Sequence, residues 1–200
     1  MVPEKAVAEG VTGPRYLFTV ANQFLQAAGK APSFRVQLVG EKKEVKVQDG
    51  AYTITTDVLL KDSGLADLVI IPPLFGDMKT SVGMNKATLP WIVQQYENGA
   101  EVASLCVGAF LLATTGLLNG KKCSTHWAYY NEFKERFPQI EIVDGGIITE
   151  DNGIYSSGGA NSLWNLLLYL LEKYTDRDTA ILASKYFAID IDRESQAAFM

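Results

Sequence analysis

Glu101 to Leu112, EVASLCVGAFLL, constrains this chain more than any other stretch, because it reads as a buried strand running directly into a helix, with a cysteine at the corner. Val102 to Leu105 is a short apolar run of the kind that fits a buried parallel strand. Gly108 to Leu118 carries apolar residues at helical spacing, and Gly116 and Gly120 mark its C-terminal exit. A strand-to-helix corner holds its residue on a sharp bend with the side chain presented above the sheet. The helix beyond directs free N–H groups and the positive end of its dipole at the sulfur, an arrangement that favours thiolate. Cys106 is therefore the candidate nucleophile, although a cysteine at such a junction also serves as a small buried hydrophobe. The segment alone leaves both readings open.

The rest of the chain alternates strands and helices around this unit. Residues 14–28 read as a helix entered at Pro14 and closed by Gly29, and 34–39 as a strand. Residues 44–47 and 52–55 form a hairpin across Asp49-Gly50, and 68–71 an apolar strand ended by Pro72-Pro73. A helix over 87–98 stops at Gly99, and another runs over 126–137 to Pro138. Short strands follow at 140–143, 146–149 and 154–156, then helices at 162–174 and 176–188. This alternation predicts an α/β fold, a mostly parallel sheet with helices on both faces. Ligands in such folds gather at the carboxyl ends of the strands, where Cys106 and the tract Pro72 to Asp77 both lie.

Composition narrows the function classes. Two hundred residues, 48% hydrophobic and 20% charged, suit one globular domain spanning 1–200. Net charge is −5 and the sequence pI is near 5.0, with Lys and Arg scattered along the chain. Such a surface repels phosphate backbones, so no nucleic acid is expected to bind this chain alone. Two cysteines make no disulfide framework and suit a reducing, cytoplasmic setting. There is no signal peptide and no apolar run of about 18 residues, so no membrane partner is expected.

His126 is the only histidine and lies in Ser124-Thr-His-Trp127 at a helix start. An imidazole near a thiol can act as its base or stabilise the thiolate, or it can simply cap the helix. One histidine with no close cysteine pair gives no metal ligand set, and no glycine-rich phosphate motif is present, so neither metal nor cofactor is expected.

These residues resemble the ThiJ/PfpI superfamily, whose relatives include class I glutamine amidotransferase domains. Within it the chain is most similar to the amino-terminal sensor domains of AraC-type transcription regulators. The resemblance rests on Val11 to Phe18, Ala103 to Ala113, Gly116 to Lys122 with Ser124 to Trp127, and Ser156 to Ala160. It implies a flavodoxin-like sandwich and a homodimer. It also implies a full strand before the first helix, for which only Met1-Val-Pro3 is present, and a helix-turn-helix domain toward which Asp192 to Met200 would lead. The domain is accordingly expected to be truncated at both ends relative to the family.

Departures from the family pattern bear on function. The acid that superfamily enzymes place before the first helix falls at Gly10, with Glu9 one residue earlier. Val107 stands where hydrolase members often carry histidine, and Pro73-Leu74 where many relatives have Gly-Gly. Pro73 has no N–H, so an oxyanion would rely on Leu74 together with Val107 or Cys106. Asn165 replaces a common aspartate. The expectation is therefore a sensor domain, and not an enzyme, with a small-molecule pocket beside Cys106. Cys106 and His126 are its reactive candidates, and Glu9, Gly10, Leu74, Gly76, Val107 and Trp127 its binding candidates. The alternatives are a cysteine-dependent enzyme, isocyanide hydratase-like or amidase-like, and a redox sensor acting through Cys106.

Overall fold

Leu68-Val-Ile-Ile71 is apolar at every position, a pattern a strand sustains only when helices cover both sides of its sheet. The computed structural model describes the chain except residues 144, 193–194 and 197–200. In chain order its elements are α1 (Ala8–Ala27), β1 (Val39–Gly40), β2 (Glu44–Val47), β3 (Tyr52–Thr55), β4 (Val58–Leu59), β5 (Leu68–Ile71), α2 (Met78–Met84), α3 (Leu89–Glu97), β6 (Glu101–Ser104), α4 (Ala109–Thr114), β7 (Lys122–Cys123), α5 (Tyr130–Arg136), β8 (Glu141–Ile142), β9 (Ile148–Asp151), β10 (Ile154–Ser157), α6 (Ser162–Tyr174) and α7 (Arg177–Phe187). The central sheet has the order β5-β6-β10-β9. Its first three strands are parallel and β9 returns antiparallel.

Alternation along the strands divides the core in two. Val69, Ile71 and Val102 point to one face and pack with Ile92, Phe110, Leu112 and Phe133 from α3, α4 and α5. Ala103 and Tyr155 point to the other, where Leu17, Leu166, Leu167, Leu170 and Ala180 close over them from α1, α6 and α7. Leu167 and Leu170 are fully buried, each worth about 2 kcal/mol by transfer of its side chain from water. The expected α/β sandwich with helices on both faces is what forms.

The structure departs from the sequence reading at several elements. The first helix begins at Ala8 rather than Pro14, which lies inside it. The Val7 N–H donates to the Pro73 carbonyl at 2.8 Å and Ala6 bridges Leu74, so long-range contacts fix the entry. Of the strand expected over 34–39 only Val39–Gly40 joins a ladder, with β4. A cavity of about 430 Å³ lies between that segment and β5, leaving residues 34–38 without a ladder partner on that flank. The elbow helix is also shorter than its apolar pattern. Cys106–Gly108 is a 3-10 turn, α4 ends at Thr114, and the Thr115 hydroxyl bonds the Leu112 carbonyl at 2.6 Å. Helix α2 has no counterpart in the sequence reading. Asp77 caps it by accepting from the Thr80 N–H at 2.8 Å, a local signal that is present in the sequence.

Residues 193–194 and 197–200 of the stretch expected to lead onward from Asp192 lie outside the described residues. No helix among the described residues is long and apolar enough to cross a membrane.

Candidate active site

Cys106 follows the end of β6, where Ser104 stands between Ile71 of β5 and Ser156 of β10. Its φ is 54°, a left-handed conformation that costs a non-glycine residue about 1 kcal/mol or more. Three long-range contacts hold the bend. The Cys106 N–H donates to Ser157 Oγ at 3.2 Å, the Thr125 hydroxyl donates to the Cys106 carbonyl at 3.1 Å, and the Leu105 N–H donates to the Ile71 carbonyl at 2.9 Å. Gly108 completes the corner by close approach, since a Cβ there would sit 2.6 Å from the Pro72 carbonyl oxygen.

The sulfur environment reverses the expected electrostatics. Burial pushes the Cys106 thiol up to about 12, and the Val107 N–H that points at the sulfur offsets only part of this. The residue is 5% exposed, and it opens a 3-10 turn that leads into a six-residue helix. Desolvation of the anion outweighs that short dipole, so the resting group is a neutral thiol and not the expected thiolate. Cys123 is likewise raised to about 12 by burial, and both cysteines are free.

His126 caps the turn Trp127–Tyr129, its Nδ1 accepting from the Ala128 N–H at 3.2 Å. That bond fixes the neutral-ring proton on Nε2, so the ring offers a donor to its surroundings. Burial lowers its pKa and the imidazole is neutral near pH 7. Thr125, its neighbour in sequence, ties this loop to Cys106.

The remaining candidates fall into separate places. Val107 is buried within the elbow. Gly10 packs on Pro73, whose Cδ would be 2.3 Å from an added Cβ, and so reaches the elbow only through Pro72-Pro73. Glu9 is exposed and accepts from Trp164 Nε1 at 3.2 Å. Leu74 is buried; its bridge to Ala6 uses the N–H groups of Val7 and Phe75 and leaves its own outside the pair. Gly76 has φ 84° beside Lys5, and Trp127 is exposed beside His126. The 430 Å³ cavity touches Gly10 but neither Cys106 nor His126.

Sequence reasoning passed over a layer of hydroxyls under the elbow. Besides Ser157 and Thr125, the Ser124 N–H donates to Ser156 Oγ at 2.7 Å and to Thr149 Oγ1 at 3.1 Å, and those two hydroxyls bond each other. Among the described residues, Ser124 Oγ is the one buried side-chain polar atom without a partner. Adjacent serines at the end of a buried strand, Ser156-Ser157, were the available signal. No group of three or more His, Cys, Asp or Glu that could hold a metal ion occurs among the described residues.

Residues 13–173 match the DJ-1/PfpI family. Isonitrile hydratase of Pseudomonas putida is 26% identical over 157 residues, covering 76% of this chain and 64% of that protein. The HTH-type transcriptional regulator GbdR of Pseudomonas aeruginosa is 24% identical over 154 residues, 77% of this chain but 41% of that protein. The chain thus spans about half the length of the curated relatives it matches. A crystal structure of a ThiJ/PfpI family protein from Pseudomonas syringae superposes with a TM-score of 0.77 at 16% identity, covering 98% of this chain and 76% of that one. The expectation that the chain is not an enzyme is corrected by these findings. An enzyme stands among its relatives across most of its length, and the cysteine sits at a strained elbow at the head of the sheet.

Proposed function

The chain belongs to the DJ-1/PfpI family, and from that premise we propose that it is a Cys106-dependent enzyme adding water to a small unsaturated substrate, an isonitrile being the class that fits best. The observation that carries the reading is the protonated thiol on a left-handed corner. Amide hydrolysis starts from a thiolate and an orienting acid, whereas Glu9 is turned outward to Trp164. An isonitrile carbon must gain both a nucleophile and a proton. A neutral S–H supplies the pair: sulfur bonds to carbon, and the thiol proton ends on that carbon as a thioformimidate. Water then adds to the C=N bond, one proton going to nitrogen. The C–S bond breaks to give the formamide, and the hydroxyl proton returns to sulfur. The His126 Nε2–H and the amides of Val107 and Leu74 are the groups assigned to the developing charge.

The test is conversion of cyclohexyl isonitrile to N-cyclohexylformamide. Turnover lost in Cys106→Ser and reduced in His126→Gln is expected; no turnover above buffer overturns the reading. A second reading, a ligand-sensing domain in an AraC-type regulator, is favoured by the kinship to GbdR. It predicts stabilisation by a metabolite without turnover. Both readings include a cytoplasmic homodimer, for which light scattering is the check.

A further inference from the structure

Gln196 is a polar side chain from the far end of the chain, yet it is 2% exposed and every polar atom of its carboxamide is engaged. Its Oε1 accepts from the Gly159 N–H at 2.8 Å. Its Nε2 donates to Tyr130 Oη at 2.9 Å, the Gly146 carbonyl at 3.1 Å and the Thr125 carbonyl at 3.3 Å. Backbone contacts seat the segment, with the Gln196 N–H on the Gly145 carbonyl at 2.9 Å. Space for the group exists because residue 158 is glycine, where a Cβ would lie 2.4 Å from Nε2.

We propose that this recess is a carboxamide-recognition site whose occupancy positions the Cys106 elbow. The donor–acceptor pattern selects the class of occupant. One N–H faces one oxygen, and three oxygens lie within reach of the two N–H donors of an NH₂ group, the pairing that a primary carboxamide presents. A carboxylate would set an oxygen against the Thr125 and Gly146 carbonyls, and an ammonium would leave the Gly159 N–H unanswered. Thr125 is the link: its carbonyl accepts from Gln196 and its hydroxyl holds the Cys106 carbonyl at 3.1 Å. The same residue leads into His126, so filling the recess fixes the loop that holds the Cys106 carbonyl. Gln196 is thus a positioning residue, acting on Cys106 through Thr125.

The inference goes beyond the proposed reaction, and its test reads thiol accessibility rather than turnover, so either can fail alone. Methyl methanethiosulfonate labelling of Cys106, followed by peptide mapping to separate it from Cys123, is compared in the wild type and Gln196→Ala. Labelling about tenfold faster is expected in the variant, from loss of the hydrogen bonds that close the loop. Free propionamide at about 100 mM, a concentration suited to so small a ligand, restores the slow rate, while propionate does not. Gly158→Ala, which fills the recess, labels fast with or without propionamide. An unchanged rate in Gln196→Ala, rescue by propionate equal to that by propionamide, or no rescue at all overturns the proposal. Should Gln196→Ala not fold, Gln196→Glu keeps the length and reverses the NH₂ end; labelling at the wild-type rate there overturns it equally.

Discussion

At one end of the paired strands β6 and β10, Glu101 is met by Lys173, Tyr174 and Tyr155; at the other, Cys106 is met by backbone groups, a serine and apolar side chains. Burial works to raise the Glu101 carboxyl, but the hydrogen bonds from Lys173, Tyr174 and Tyr155 outweigh it, and the net shift is downward. Tyr155 and Tyr174 move up, first through burial and then through their bonds to that carboxylate. The thiol has one N–H pointed at it and rises. Two titratable groups at opposite ends of the same strands thus settle in opposite charge states. What decides is the supply of partners, since both groups are desolvated. The charged end is a fastening; the neutral end holds a protonated thiol.

The largest expected effect separates the two ends by pH. A thiol raised in the folded state is still protonated when its unfolded counterpart has ionised, so the unfolded chain binds fewer protons and stability falls as pH climbs from about 9 toward 12. Cys123 adds to the same arm. Thermal unfolding followed across that range should show the loss, and the Cys106→Ser/Cys123→Ser double variant should reduce it, leaving the part carried by Tyr155 and Tyr174. At the other end Glu101 is lowered, so its contribution is present above the ordinary carboxylate range and lost as pH falls through it. Glu101→Gln should weaken acid sensitivity, and it should also soften the alkaline arm above a pH of about 10, because part of the upward shift of Tyr155 and Tyr174 comes from that carboxylate.

Substitutions then rank the rigidity of the two ends. Gly108→Ala forces a Cβ against the Pro72 and Ile71 carbonyl oxygens, at 2.6 and 2.9 Å, and should cost about 3 kcal/mol in urea unfolding. Gly83→Ala in α2, with nothing within 4 Å, should instead be neutral or stabilising, and an equal loss at both would refute the close-approach argument. Glu101→Ala leaves Lys173 without its carboxylate at a partly exposed site and should cost about 2 kcal/mol, with no change in Cys106 labelling. Coupled labelling would mean that the ends are not independent. Ser157→Ala removes the acceptor of the Cys106 N–H and should cost about 1 kcal/mol while speeding thiol labelling.

The same contrast marks how far sequence reading reaches. β5, β6, the hairpin, α6 and the elbow were legible because their signals are local: apolar runs, the Asp49-Gly50 turn, and a glycine after the cysteine. Cys106 and His126 stood out by type and spacing. Ser157, Thr125 and Gln196 did not, because each meets the site from a remote part of the chain, Ser157 across 51 residues and Gln196 meeting Thr125 across 71.

What the sequence by itself determined is the α/β alternation, the strand–cysteine–helix corner and the acidic surface, all of which follow from side-chain periodicity and composition. What only tertiary structure decided is the charge on that cysteine. A helix start after Cys106 argues for thiolate, and burial argues against it; which wins depends on how much water the packed elbow excludes. Helices α3, α4 and α5 close over one face of the sheet and leave Cys106 5% exposed, so desolvation prevails.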